Sequence, residues 1–258
     1  MQYETLSLEQ ADGIAVITLR RPDVLNALDT RMRAEITHAV GNAGKAARVV
    51  VLTGEGHAFC SGQDLGDRAS VAGINLERTL RDEYIPMLMA VVECPVPVLA
   101  AVNGTAAGAG ANLALAADVV IACESAGFIQ AFTRIGLIPD AGGTHFLPRR
   151  IGMAKAMGAA LFADRISARQ ASDWGMIWEV FPDAEFAGGW RTRAAHLAQG
   201  PTQAYARVKR ALRASPGNSL SEHLFLEGQL QGQCGRTRDF QEGVMAMLEQ
   251  RPPRFEGR

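Results

Sequence analysis

The feature that most constrains this chain is an apolar run, Val96 to Val102, that stops at Asn103-Gly104 and passes through Thr105-Ala106-Ala107-Gly108-Ala109-Gly110 into a short apolar helix, Ala111 to Ala116. The order is strand, tight turn, helix N-terminus. Side chains no larger than methyl let a ligand approach the N–H groups left free at a helix start, where the peptide dipoles favour negative charge. Further on, Gly136-Leu137-Ile138-Pro139-Asp140-Ala141-Gly142-Gly143 sets one carboxylate in an apolar loop ahead of another helix. Free donors and a lone carboxylate together suggest proton-transfer chemistry.

The remaining pattern is α/β in its first two thirds. Tyr3 to Glu9 and Ile14 to Leu19 alternate around Ala11-Asp12-Gly13 and predict a hairpin with a D-G turn. Asp29 or Thr30 can cap a helix carrying Met32, Ile36, Ala39 and Val40, with Gly41 and Gly44 weakening its end. Val49 to Leu52 is a fully apolar strand followed by a glycine-rich loop through Leu65, and a helix spans Leu76 to Val92. Beyond Asp140, helices are expected over Ala141 to Arg150 and Met153 to Phe162, then one opened by a capping box at Ser167 to Gln170, and a last strand at Trp178 to Phe181. From Glu185 only helical periodicity remains, with a second capping box at Ser219 to Glu222. The expected division is a core over 1–195 and a helical region over 196–258. No repeat of fixed period is visible.

Composition narrows the function classes. The chain has 258 residues, 48% hydrophobic and 21% charged, enough for one large core. A formal net charge of -1 gives no basic field for nucleic acid. No apolar run has the length of a membrane span, and Met1-Gln2-Tyr3-Glu4 lacks the basic start of a leader peptide, so a cytoplasmic protein is expected. Cys60, Cys94, Cys123 and Cys234 form no C-x-x-C pair, and the five histidines lack ligand spacing, so free thiols and no metal site are expected. Gly104 to Gly110 departs from the G-x-G-x-x-G dinucleotide fingerprint and leaves too short a crossover helix. Asp64 suits a helix cap better than a catalytic acid, and Asp118 suits a structural hydrogen bond. His57 and His145 flank the glycine loops.

Three segments carry a family resemblance: Ala58-Phe59-Cys60-Ser61-Gly62-Gln63-Asp64-Leu65; Pro95 to Gly104 with Ala107-Gly108-Ala109-Gly110; and Gly136 to Thr144. With them the whole chain resembles the crotonase, or enoyl-CoA hydratase/isomerase, superfamily. The resemblance implies a spiral of β-β-α turns with a C-terminal helical trimerisation region, an acyl-CoA substrate, no separate cofactor because coenzyme A is part of that substrate, and a homotrimer or dimer of trimers. By motif position the thioester oxygen would sit between the backbone N–H groups of Gln63 and Ala109, flanked by Gly62, Gly108 and Gly110. Val24, Ala58, Asp64 and Leu65 correspond to the substrate-binding surroundings. The two glutamates of the family's hydratases are replaced by Asn112 and Phe132, neither of which can activate water, and Asp140 occupies the place of the acid/base of several isomerases.

Within the family, Ala156 to Leu161, Ala171 to Val180, Phe128 to Phe132 and the Pro-x-Phe-x-Gly ending at Pro253 to Gly257 resemble the ring-1,2-epoxyphenylacetyl-CoA isomerases of phenylacetate degradation. This implies conversion of a ring epoxide to an oxepin-CoA. The alternatives are a general 3,2-enoyl-CoA isomerase, a hydratase-like protein of fatty-acid oxidation, and an idle acyl-CoA-binding or RNA-binding relative.

Overall fold

A computed structural model describes residues 3–66 and 75–258. Met1 and Gln2, half of the segment used for the leader-peptide reading, lie outside the described residues. The chain opens with β1 (Leu6–Ala11) and β2 (Ile14–Leu19), antiparallel through a turn in which Asp12 and Gly13 both have positive φ, 52° and 77°. β1 starts later than expected because the N–H groups of Glu4 and Thr5 bond the Glu35 carboxylate instead of a strand. That glutamate lies on α1 (Thr30–Ala46), whose cap is Asp29, accepting from Met32 N at 2.7 Å. The helix runs through Gly41 and Gly44 and ends two residues later, at Ala46.

Next come β3 (Val49–Gly54) and β4 (Ala58–Cys60), then α2 over 76–92. The helix α2 contains a π turn, Leu80–Tyr84, that ends one residue short of Pro86, whose missing N–H interrupts regular helical bonding. The pair β5 (Val98–Val102) and β6 (Thr105–Ala107) precedes α3 (Ala109–Ala116), so part of the expected turn is a short strand. The pair β7 (Val119–Cys123) and β8 (Gly127–Ile129) leads to α4 (Gly143–Phe162), one helix broken at Gly152, where φ is 74°. Then follow β9 (Ile166–Ser167), α5 (Ala168–Asp173) with its Ser167 cap, and β10 (Glu179–Phe181). Helices α6 (Asp183–Gln199), α7 (Thr202–Ala214), α8 (Leu220–Cys234) and α9 (Arg238–Leu248) complete the chain.

The strands form two sheets, ordered β1-β2-β3-β5-β7-β10 and β4-β6-β8-β9. Consecutive pairs β3/β4, β5/β6 and β7/β8 each place a longer strand in the first sheet and a three-residue strand in the second. The mainly parallel stacking of these pairs is the spiral of β-β-α turns. The apolar residues Val49–Leu52 of β3 and Val98–Val102 of β5 are buried, with α1 and α6 against β3 and α3 against β5, as expected of central strands covered on both faces. Asp118, ahead of β7, accepts from Val98 N at 2.8 Å and also pairs with Lys209 and Arg213 of α7, each at 2.7 Å. Of the free cysteines, Cys60, Cys94 and Cys123 are buried and Cys234 is half-buried.

Candidate active site

The second sheet brings the loop after β4 against the start of α3. Leu28 bridges this loop: its N–H donates to Gly62 O at 2.7 Å and its carbonyl accepts from Asp64 N at 3.2 Å. The bridge engages the groups on either side of Gln63 and leaves Gln63 N–H unused. Gly62 has φ 97°, and a Cβ there would stand 2.7 Å from Ala107 O and 3.2 Å from Ala109 N, so this loop and the β6–α3 turn touch backbone to backbone. Ala109 is the first residue of α3, where no intrahelical acceptor exists. Among the described residues, neither Gln63 N nor Ala109 N donates a hydrogen bond. Gly110 allows the same closeness from the other side, since a Cβ would lie 2.3 Å from Cys60 O. Two free amide donors therefore lie side by side, carried by two different turns of the spiral. Burial pushes the neighbouring Cys60 thiol up to about 12, keeping it neutral. The Phe132 ring closes over Gly108, 3.8 Å from where its Cβ would be.

Asp140 is fixed by its backbone and left free at its side chain. Its carbonyl accepts from Gly143 N at 2.8 Å and from Asn112 Nδ2 at 2.7 Å. A carbonyl can only accept, so the Asn112 amide must present nitrogen to Asp140 and oxygen to Gln130 Nε2, 2.9 Å away. Asn112 is 0% exposed with both amide atoms engaged, and it supports Asp140 from one turn inside α3. Among the described residues Asp140 Oδ1 is buried without a hydrogen-bond partner, and burial lifts the carboxyl pKa to about 6. The cap of α4 is Gly142, with no side-chain hydrogen bond, so Asp140 is not a helix cap. Of the apolar loop residues ahead of it, Pro139 is buried and Leu137 half-buried, whereas Ile138 is 76% exposed.

Asp64 behaves differently. Its Oδ1 accepts from Gly66 N at 2.9 Å and its Oδ2 pairs with Arg21 at 2.8 Å. The Gly66 N–H, followed by Arg21, holds this carboxyl below its ordinary value despite partial burial. No helix starts at Leu65 or Gly66, so the expected cap is instead a turn brace, and residues 67–74 lie outside the described chain. Val24 stands beside the same loop, its carbonyl accepting from Ser61 Oγ at 3.2 Å, and both Val24 and Leu65 are exposed. Ala58 is buried, with its carbonyl taking Asn26 Nδ2 at 2.9 Å. His145 packs edge-on against Phe146, and burial with Arg149 nearby lowers its pKa. Sequence reasoning missed Gln130, Arg33 and Tyr84, which brace Asn112 and Gln63. Their signal is long-range and absent from any local motif.

The enoyl-CoA hydratase/isomerase family profile matches residues 9–258. A Rhodobacter capsulatus protein called a probable enoyl-CoA hydratase is 61% identical over 258 residues, covering 100% of both chains. The 1,2-epoxyphenylacetyl-CoA isomerase of Escherichia coli is 43% identical over 255 residues, covering 95% of this chain and 96% of that one. The crystal structure of enoyl-CoA hydratase from Bacillus anthracis matches with a TM-score of 0.91 at 32% identity, over 99% of this chain and 100% of the other. The chain belongs to the enoyl-CoA hydratase/isomerase family.

Proposed function

We propose that the chain is an acyl-CoA isomerase that converts 2-(1,2-epoxy-1,2-dihydrophenyl)acetyl-CoA to oxepin-CoA. The observation that carries this reading is Asp140: a carboxyl with one buried oxygen that has no partner among the described residues, tied through Asn112 to the helix whose first N–H is one of the two free amide donors, in a site where Asn112 and Phe132 replace the hydratase glutamates. In this mechanism the thioester oxygen lies between Gln63 N–H and Ala109 N–H. Asp140 removes the α-proton, and the charge that develops on oxygen is stabilised by several kcal/mol through donors already in place. The C–C bond shared by the six-membered ring and the epoxide breaks as the ring expands to the seven-membered oxepin, its electron pair joining the new double-bond system, and the same carboxyl returns the proton to a ring carbon. The double bond moves into conjugation with no net gain or loss of atoms or electrons, so no cofactor or metal enters.

Water activation needs a second acid/base, and Asn112 is fully committed to holding Asp140. This favours isomerisation over the hydration named for the Rhodobacter relative. The test is turnover of three substrates by the purified protein: the ring epoxide, a straight-chain 3-enoyl-CoA and trans-2-enoyl-CoA. Consumption of the epoxide without hydration of the 2-enoyl thioester is expected. Isomerisation confined to the 3-enoyl substrate would make it a general 3,2-enoyl-CoA isomerase, and efficient hydration would overturn the reading.

The working assembly in this reading is a homotrimer or dimer of trimers in the cytoplasm, without nucleic-acid or membrane partners. It is supported by the exposed apolar side chains Met153, Met157, Leu161 and Phe162 on α4. Among the described residues no helix is long and apolar enough to cross a membrane.

A further inference from the structure

Gln63 contributes a free backbone donor, and its side chain is also tied down. Its Oε1 accepts from Tyr84 Oη at 2.5 Å and from Arg33 Nη1 at 3.1 Å, while its Nε2 donates to Asp64 O at 3.2 Å. Arg33, on α1, is 2% exposed. A buried guanidinium is tolerated only when its donors are used, and here Nη1 reaches Leu28 O at 2.5 Å, Nη2 reaches Thr30 Oγ1 at 3.2 Å, and Nε and Nη2 hold Glu83 at 2.9 and 2.6 Å. The guanidinium also lies 4.7 Å from the centre of the Tyr84 ring. Leu28 is the residue whose N–H and carbonyl bracket Gln63 in the backbone bridge.

Two helices remote in sequence thus converge on one glutamine. The backbone bridge holds the loop from one side, and the side-chain clamp holds it from the other. Burial raises the Tyr84 hydroxyl well above its ordinary value, with the Asp140 charge a lesser contributor in the same direction, so Tyr84 stays a donor. A carbonyl that must be polarised at a fixed point loses rate when a donor shifts by a fraction of an ångström.

We infer that Tyr84 and Arg33 are positioning residues, holding the Gln63 peptide so that its N–H polarises the substrate carbonyl. The inference rests on the acyl-CoA reading above. Neither residue needs to touch substrate, and the Gln63 side chain transmits their effect to the backbone.

The test compares wild type, Tyr84→Phe, Gln63→Ala and the double variant, with kcat and KM on the turned-over acyl-CoA. It adds the infrared carbonyl stretch of bound carbon-13-labelled phenylacetyl-CoA, a readout of polarisation that general loss of packing does not move. Tyr84→Phe is expected to lower kcat about tenfold with KM within about twofold, a fraction of the loss on deleting a donor outright. The bound carbonyl should return toward its frequency in water. Gln63→Ala keeps the N–H but loses the clamp, so it should do the same, and the double variant should be no worse than either single one. Wild-type kcat and carbonyl frequency in Tyr84→Phe, a lowered kcat with unmoved frequency, or losses that multiply in the double variant would each overturn the inference while leaving the isomerase reading intact. If wild type turns over no acyl-CoA and leaves the bound carbonyl as in water, both fall together.

Discussion

Replacing Asp140 by Asn should separate chemistry from stability in opposite directions. Asparagine preserves the size of the side chain and leaves the backbone bonds to Gly143 and Asn112 in place, but it removes the base. Turnover should fall by about 10²-fold or more, the usual contribution of a positioned acid/base. Stability should rise. Burial moves the carboxyl from 3.8 to about 6, so between those values the folded protein binds a proton that the unfolded chain has lost. Stability therefore declines as pH rises through this window and stays lowered above it. A shift of this size corresponds to at most about 3 kcal/mol, and water reaching part of the carboxyl reduces that to about 1–2 kcal/mol. For a chain of this size the asparagine variant should melt a few degrees higher at pH 8 and show no such gain at pH 3.5, by about 2–4 °C per kcal/mol. The assays are initial rate on the ring epoxide and calorimetric melting at both pH values. In wild type, kcat/KM should rise with pH through an apparent pKa of about 6 as Asp140 ionises. Near-normal turnover in a folded Asp140→Asn protein would refute the mechanism, and a lower melting point at pH 8 would refute the account of its burial.

Ala109→Pro should remove one amide donor while keeping α3, because proline is favoured at the first helical position; turnover should drop about 10²-fold with normal circular dichroism. Asn112→Asp turns the donor facing the Asp140 carbonyl into an acceptor and buries a charge, so denaturant melts should show a loss of about 2 kcal/mol or more and rates should fall together with it. Sedimentation at micromolar concentration should show an oligomer, and Phe162→Asp, on the exposed apolar face of α4, should shift it toward monomer.

What could be read in advance was what local chemistry decides. The Asp12-Gly13 turn, the Asp29 cap and the reciprocal Ser219–Glu222 box all formed as expected because each is settled within a few residues. The second sheet was not legible, since three-residue strands such as Thr105–Ala107 carry too little pattern to separate from a turn. Asp140 stood out by isolation, whereas its freedom from capping depended on the backbone bending at Ala141 and Gly142, both at positive φ. Ile138 illustrates the opposite limit: apolar character beside the carboxylate suggested shielding, but the loop's direction turned that side chain outward. The Arg33–Tyr84–Gln63 clamp joins residues from three separate segments and has no sequence motif.

The mooring of α7 at Asp118 has a consequence for how the chain is made. Lys209 also donates to the carbonyls of Cys94 and Val96, Arg213 to that of Val92, and Arg48 reaches the carbonyls of Gly200 and Phe255. The carbonyls of Val92, Cys94 and Val96 ahead of β5 and the Asp118 carboxylate ahead of β7 wait for cations synthesised much later, while Arg48 waits for carbonyls that come later still. A chain released after residue 195 would carry the candidate catalytic groups but leave Asp118 and the carbonyls of Val92, Cys94 and Val96 uncovered and Arg48 without these acceptors. On the ribosome, the core should remain open to proteases until the last helices emerge, and maturation should register as a single late event rather than as stepwise growth from the N-terminus.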